Sequence, residues 1–285
     1  MGGAALNDGF NILVSFAERR KAVEMCLRPG FRVLLDSGAF ANFNRKREVV
    51  TLDAYLGYLR ERGSAFWRYF ALDKVADQAA STRNLDRMLA AGLKPVPVFQ
   101  RGGKLADLES LKGVSDLVGV GGVAGRLRCL ADRAYLRQVI RAAKGHRLHL
   151  LGCGREDVLR AYRPYSADSS SHALRHGTVW LWHDRRFYTL RRVQGEVQLD
   201  RAPIKRQPAL FARLCALYDV NPAAAMTQRF YGTNPAKIVN LRSFIRYQKE
   251  LRRIGVEYFI ACVEADVPRA IEAWSIEHAN VHAAA

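Results

Sequence analysis

Short apolar runs recur along this chain, and each stops at a carboxylate, an amide or a glycine. Val33-Leu34-Leu35 runs straight into Asp36-Ser37-Gly38. RYFALD stops at Asp73, PVPVFQ at Gln100, LVGVGG at Gly121-Gly122, LHLLG at Gly152, and YSA is followed by Asp168. An apolar run without polar alternation reads as a strand buried on both faces, as in a parallel sheet. Folds of that kind place ligands and chemistry at the C-terminal ends of their strands. Polar and glycine residues at that many strand ends point to one shared pocket.

The intervening segments supply the helices. Phe10–Phe16 reads as a first strand, followed by a helix over Glu18–Leu27 that ends at Arg28-Pro29-Gly30. After Asp36, ANFNRKRE reads as a polar loop. Thr51 or Asp53 then caps the helix LDAYLGYLRERG, closed by Gly63. Phe66–Leu72, Pro95–Phe99, Leu117–Val120 and RLHLLG are the third to sixth strands. Helices at Thr82–Ala91, Leu130–Ala143 and Glu156–Tyr162 separate them. Pro95 and Pro97 are awkward in a central strand, because neither brings a ladder donor. Strands alternating with helices at this rhythm predict an α/β fold, a (β/α)8 TIM-type barrel in one domain over residues 1–285.

From Gly177 the rhythm changes. Residues 177–202 read as a small antiparallel hairpin inserted after the seventh strand, with its turn near Gln194-Gly195. Residues 203–255 read as a helical closure (Pro203–Leu217, then a basic amphipathic helix over Asn240–Ile254), with VEYFIACV as a late strand. The tail from His278 reads as frayed.

Charge narrows the partners. Forty-five Lys and Arg against 27 Asp and Glu give a formal +18, a footprint expected of a protein that meets a polyanion. The plain alternative is solubility or a basic compositional bias. The five cysteines are scattered with no C-x-x-C pair, which predicts reduced thiols, and no segment has the roughly 18 apolar residues of a membrane helix. The start, MGGAALNDGF, lacks a basic region followed by an apolar run. The expectation is a cytoplasmic protein, of a bacterium or a phage-infected host, with no membrane partner.

Several constellations could carry chemistry. Asp36 and Asp168 close different strands, so one barrel mouth could hold both. Paired carboxylates suit cleavage of a glycosidic bond, one attacking the sugar carbon and the other handling protons. Each could equally be a helix N-cap. GVGGVA at Gly119–Ala124 resembles the G-x-G-x-x-A dinucleotide fingerprint, but it lies mid-chain without an acidic residue about 20 positions later. His172 and His176 stand at i, i+4 spacing with no Cys or acidic ligand pattern beside them, so a solvated or nucleic-acid-facing pair is expected rather than a metal site. Arg45, Lys46 and Arg47 cluster just beyond Asp36. Arg185, Arg186, Arg191 and Arg192 mingle with Trp180, Trp182, Phe187 and Tyr188, a mixture suited to phosphate contacts and base stacking. A hairpin packing its aromatics inward gives the same string.

Taken in order, LLDSGAF, ALD, PVFQRGG, VGVGGVAG, LHLLGCG and SADSSSH resemble the motifs of the tRNA-guanine transglycosylase superfamily. Within it the chain looks most like the DNA-guanine transglycosylase (DpdA) family of phages and bacteria, over roughly residues 10–260. The resemblance implies a (β/α)8 barrel enzyme that exchanges guanine for a 7-deazaguanine, such as 7-cyano-7-deazaguanine, through a covalent glycosyl-aspartate. It casts Asp168 as nucleophile and Asp36 as general acid/base with Ser37 beside it. Asp73 and Gln100 match the pair that holds the guanine edge. Gly121, Gly122 and Val123 match the segment against the ring's outer substituent, and Leu151-Gly152 the pocket floor.

The departure is at the zinc site. The transfer-RNA enzymes carry C-x-C-x-x-C plus His after the inserted hairpin, whereas IKRQPALFARLCALYDV holds only Cys215. No zinc and no other cofactor is therefore expected, with the deazaguanine as co-substrate. DNA is the expected polymer, tRNA the alternative, and a helper protein opening the duplex a possible partner. The Arg45–Arg47 loop and the Arg-rich hairpin would hold phosphates. The rival from another class is a non-catalytic nucleic-acid-binding barrel.

Overall fold

The computed structural model describes residues 9–123, 129–173 and 177–283. The chain divides into two compact units, Met1–Ser169 with Leu251–Glu264, and Ser170–Glu250 with Ala265–Ala285.

The first unit is a barrel-like α/β body. Its strands are β1 (Phe10–Ser15), β2 (Phe31–Asp36), β3 (Arg68–Tyr69), β4 (Val98–Phe99), β5 (Leu117–Val120), β6 (Arg147–Leu150) and β7 (Ser166–Ser169). The helices between them are α1 (Arg20–Cys26), α2 (Ala39–Arg45), α3 (Leu52–Arg62), α4 (Gln78–Ala90), α5 (Leu105–Lys112), α6 (Leu130–Ala143) and α7 (Glu156–Tyr162). The second unit interrupts the sequence with β8 (Thr178–His183), β9 (Arg186–Val193), β10 (Glu196–Leu199), β11 (Ala202–Pro203), α8 (Pro208–Leu217), α9 (Pro222–Ala225) and α10 (Asn234–Arg253). The chain then returns to the first unit as β12 (Glu257–Cys262) and ends in the second unit with α11 (Val267–Ala283).

The first sheet has eight strands in the order β3-β2-β1-β12-β7-β6-β5-β4, and every registered pair is parallel. Its two edges also meet. Phe70 bridges Val96 in parallel, Ala71 N–H donates to the Val96 carbonyl at 2.9 Å, and Val96 N–H donates to that of Tyr69 at 2.8 Å. The sheet encloses an apolar interior in which Leu13, Leu34, Phe70, Val98, Leu117 and Phe259 are buried together. Gly119 belongs to that packing, since a Cβ there would lie 3.0 Å from the Phe70 ring.

The prolines shorten β4 to Val98–Phe99 without breaking the sheet, because the pairing avoids them as donors. Pro97 serves as an acceptor, its carbonyl taking the Gly119 N–H at 2.8 Å. Two helices differ from the sequence expectation. The segment ANFNRKRE, read as a loop, is largely α2, since Gly38 in the left-handed region (φ 87°) turns the chain straight from β2 into a helix. Helix α4 starts four residues before Thr82, because the Asp77 side chain accepts from Ala80 N–H and caps it there.

The second unit corrects the expected hairpin. Residues 178–203 form a four-stranded antiparallel sheet in the order β11-β10-β9-β8, not one hairpin. Its three tight turns each place two residues at positive φ: Asp184 and Arg185, Gln194 and Gly195, Asp200 and Arg201. Such turns match the strand twist and usually announce themselves by Asn-Gly or Gly-Gly. Only Gln194-Gly195 carries a glycine, so the other two leave no turn signal in the sequence. The Asp200 carboxylate compensates at its turn by accepting from Thr189 N–H at 2.8 Å. A core including Leu181, Leu190, Leu199, Phe211, Leu214 and Tyr218 underlies this sheet. The tail is helical past His278, as part of α11.

Candidate active site

The site is built at the C-terminal strand ends of the first unit. Asp36 ends β2, and its register partner on β1 is Ser15. The Ser15 hydroxyl and the Gly38 N–H (3.0 Å) both donate to the Asp36 carboxylate. Gly38 has to be glycine here, because its φ is 87° and a Cβ would meet the Val50 side chain at 2.9 Å. Ser37 is fully buried, and its hydroxyl donates to Asp73 Oδ1 across a long 3.4 Å.

Asp73 and Gln100 form a direct pair. Gln100 Nε2 donates to Asp73 Oδ2 at 2.6 Å, while its Oε1 accepts from Ala76 N–H at 3.1 Å. Gln78 Oε1 accepts the Gln100 N–H at 2.8 Å and fixes the backbone behind it. Both ends of the amide are thereby oriented, with one N–H of the NH₂ group beyond the Asp73 bond. Gly121 makes the room, since a Cβ there would stand 3.2 Å from the amide nitrogen and oxygen.

Asp168 lies on β7, nearly buried, and its Oδ1 is doubly held. Gly152 N–H donates to it at 2.9 Å, and His149 Nε2 lies 3.0 Å away. His149 is itself fully buried on β6, with Phe70 and Phe259 rings beside it at 5.0 and 6.2 Å. Its Nδ1 lies 2.8 Å from the Ser166 hydroxyl, and Ser166 is its register partner on β7. With no other acceptor for that hydroxyl among the described residues, Ser166 donates to Nδ1. The proton then sits on Nε2, directed at Asp168. Asp168 Oδ2 accepts none of the hydrogen bonds among the described residues.

The carboxylates sense one another. Burial raises the pKa of Asp36 against the pull of the Ser15 and Gly38 donors, and the charge of Asp168 adds to the rise. Burial, reinforced by Asp36, pushes Asp73 up to about 7 despite its bonds from Gln100 and Ser37. Carboxylates whose pKa values are raised in this way can move protons during a reaction. One oriented carboxylate oxygen at Asp168, in a group with Asp36, whose pKa burial raises, is a constellation suited to nucleophilic displacement with general acid/base help.

The other sequence candidates fall in several places. Val123 is buried, Leu151 packs against the sheet interior, and Gly152 supplies the bond to Asp168 from a positive φ of 67°. Gly122, also at positive φ, would place a Cβ 2.5 Å from Arg101 Cβ. Arg45, Lys46 and Arg47 are exposed at the end of α2.

In the second unit the arginines are partly engaged by the protein itself. Arg185 pairs with Glu250 (3.3 Å) and Arg186 with Asp200 (2.8 Å) while covering the Tyr188 ring. Arg192 reaches the Met226 carbonyl at 3.4 Å, and Arg191 is half-buried. The aromatics there pack inward, with Trp182 and Phe187 against Tyr247 and Phe244 of α10. His172 is buried, 3.6 Å from Asp266, whereas His176 and the Ala124 and Gly125 end of the glycine motif lie outside the described residues.

Among the described residues no group of three His, Cys, Asp or Glu is arranged to hold a metal ion, and Cys215 is buried in the core of the second unit. No described helix is long and apolar enough to cross a membrane. The residues that sequence reasoning missed are His149, Ser166, Ser15 and Gln78. His149 had a signal: an imidazole between Leu148 and Leu150 in a strand buried on both faces needs a polar partner inside. No protein-family model, no curated protein and no solved structure matches the chain.

Proposed function

We propose that the chain is a guanine transglycosylase acting on DNA, built on a (β/α)8 barrel of the TIM type. The observation that carries this reading is the trio Asp36, Asp73 and Asp168 at three strand ends, with one oxygen of Asp168 tied by His149 and Gly152. The motif resemblance supplies the substrate class, and the net +18 charge supports a nucleic-acid partner.

The target deoxyguanosine leaves the stack and enters the pocket. Asp168 Oδ2 attacks C1′ as the C1′–N9 bond breaks, and Asp36, holding its proton, delivers it to the departing guanine. The result is a glycosyl ester on Asp168 and a neutral free base. A 7-deazaguanine then takes its place and gives its N9 proton to Asp36. Its N9 forms the new bond to C1′ and expels the Asp168 carboxylate. One glycosidic bond replaces another, so no external energy source enters. A 7-deazapurine lacks N7 and is a poor leaving group, which favours the product. Asp73 accepts from the N1–H and exocyclic amine of the base, and the second Gln100 N–H donates to O6.

The test is release of labelled guanine from DNA and from tRNA, each with and without 7-cyano-7-deazaguanine. Release from DNA that requires the deazaguanine is the expected result. Release from tRNA instead would keep the chemistry and replace the polymer. Release without any incoming base would make the protein a hydrolytic glycosylase. Binding without release from either polymer would make it a non-catalytic module.

A further inference from the structure

Helix α2 follows directly from the Asp36-Ser37-Gly38 strand end and exposes two large aromatic rings. Phe40 and Phe43 are each 57% exposed, and their rings stack on one another with centroids 6.3 Å apart and planes 23° apart. The helix beneath them is anchored. Asn42 Oδ1 accepts from Val49 N–H (2.7 Å) and Val50 N–H (2.8 Å), and its Nδ2 donates to the Val50 carbonyl (2.8 Å). Lys46, at φ 50°, ends the helix in the left-handed region. Arg45, Lys46 and Arg47 follow the rings, all exposed and without an ion pair among the described residues.

A paired aromatic face on an anchored helix, continuous with cations that have no ion pair among the described residues, matches a ligand with both π-faces and negative charge. Single-stranded nucleic acid has both along its whole length. We propose that Phe43, backed by Phe40, stacks a nucleobase flanking the reacting nucleotide, while Arg45, Lys46 and Arg47 take the adjoining phosphates. This rests on the nucleic-acid reading of the site above and adds to it where the neighbouring base goes. The stacked base replaces neighbours lost when the target is extruded, so the face holds an opened strand in preference to an intact duplex.

The experiment uses the full chain and a single-stranded oligodeoxynucleotide with 2-aminopurine beside one guanine. Affinity and fluorescence quenching are read over a salt series. Phe43→Ala should bind about tenfold more weakly and lose the quenching, with an unchanged slope of log K against log salt. Phe43→Trp should restore both. The triple change of Arg45, Lys46 and Arg47 to Ala should flatten the slope and keep the quenching at saturation.

Phe43 is exposed, so a thermal melt matching wild type will show that the variant folds. The proposal is overturned if wild type does not bind the strand, or if Phe43→Ala matches it in affinity and quenching. A change of oligomeric state with DNA binding intact would likewise overturn it, by assigning the face to a second copy of the chain. Wild type that binds and quenches but releases no guanine leaves the platform standing and removes the exchange reading. Wild type that exchanges the base, with Phe43→Ala indistinguishable from it, does the reverse.

Discussion

His149 Nε2 lies 3.0 Å from Asp168 Oδ1, and the same oxygen accepts the Gly152 N–H at 2.9 Å. Two donors on one oxygen hold the carboxylate in place and leave its other oxygen without a hydrogen bond among the described residues, the oxygen that attacks in the proposed exchange. A donor to a buried carboxylate also holds the charge that forms again when the glycosyl ester is broken, which eases the second half of an exchange. Removing it should therefore slow turnover more than binding. His149→Leu is expected to lower exchange about ten- to hundredfold, the scale of one charge-assisted hydrogen bond. His149→Gln, whose amide can still donate, should recover part of it. Trapping the glycosyl-enzyme in single-turnover experiments checks this, and equal rates in wild type and His149→Leu would remove His149 from the mechanism.

In the proposed exchange, Asp168→Ala leaves no atom to form the covalent intermediate. Base exchange should fall by about 10⁴-fold or more, with no adduct detectable by intact-protein mass measurement. Asp36→Asn keeps the shape but carries no proton to deliver, and should cost about 10²–10⁴-fold. An adduct that still formed in Asp168→Ala would place the nucleophile elsewhere.

Asp73 gives the pH dependence a sign. An aspartate in the unfolded chain titrates near 3.8, and in the folded chain burial, with the charge of Asp36, pushes Asp73 up to about 7. Between these values the folded chain holds a proton that the unfolded chain has released. This group's contribution to stability is therefore full below about pH 4 and is lost as pH rises to about 7. The loss is on the order of 1–4 kcal/mol. In the proposed exchange, base binding runs the other way, because accepting from N1–H and an amine requires the ionised form. Affinity for 7-cyano-7-deazaguanine should fall as pH drops below 7. Asp73→Asn should flatten the stability profile and bind the base weakly at every pH. Urea midpoints and base affinity measured from pH 5 to 8 would check both, and a stability profile in Asp73→Asn as steep as wild type would rule the group out as the cause.

Gly121 is a sharper probe of the base pocket than any charged residue. The Cβ of Gly121→Ala would stand 3.2 Å from the Gln100 amide, close enough to disturb the 2.6 Å bond to Asp73 but within reach of a small shift. Exchange should fall about tenfold while the melting temperature stays within a few degrees of wild type. An equal loss in base affinity would locate the effect at binding, and unchanged affinity would argue against Gln100 as a pocket residue.

Much of the first unit could be read from its sequence because one physical requirement repeats. A strand buried on both faces must be apolar, and its end must return to polar or flexible residues. Leu117–Val120, Leu130–Ala143 and Glu156–Tyr162 have the same bounds in the structure as in the sequence reading. The misses have local causes. The turns at Asp184-Arg185 and Asp200-Arg201 use residues that seldom take positive φ, so their composition gave no sign of a four-stranded sheet. The bond of Gln100 to Asp73 and the chain from Ser166 through His149 to Asp168 join residues far apart in sequence. Gln100 and Asp73 close neighbouring strands in sequence order, but nothing in the motifs shows that the amide is spent partly on the carboxylate.

The two arginine-bearing segments should differ in how they respond to salt. Arg45, Lys46 and Arg47 have no ion-pair partner among the described residues, so nucleic-acid phosphates would displace only water and counterions from them. Arg186 already faces Asp200 at 2.8 Å and lies over Tyr188, and Arg185 faces Glu250. A phosphate would have to displace those partners. Replacing Arg45, Lys46 and Arg47 together by Ala should reduce the magnitude of the salt slope by about 2–3, close to one per contact. Arg186→Ala should leave the slope within about half a unit of wild type. Its effect on folding should also be small, because the ion pair is solvent-exposed. Salt titrations of both variants on one oligonucleotide decide it. A larger slope change from Arg186→Ala would move the phosphate track to the antiparallel sheet of the second unit, and α2 would keep only its aromatic role.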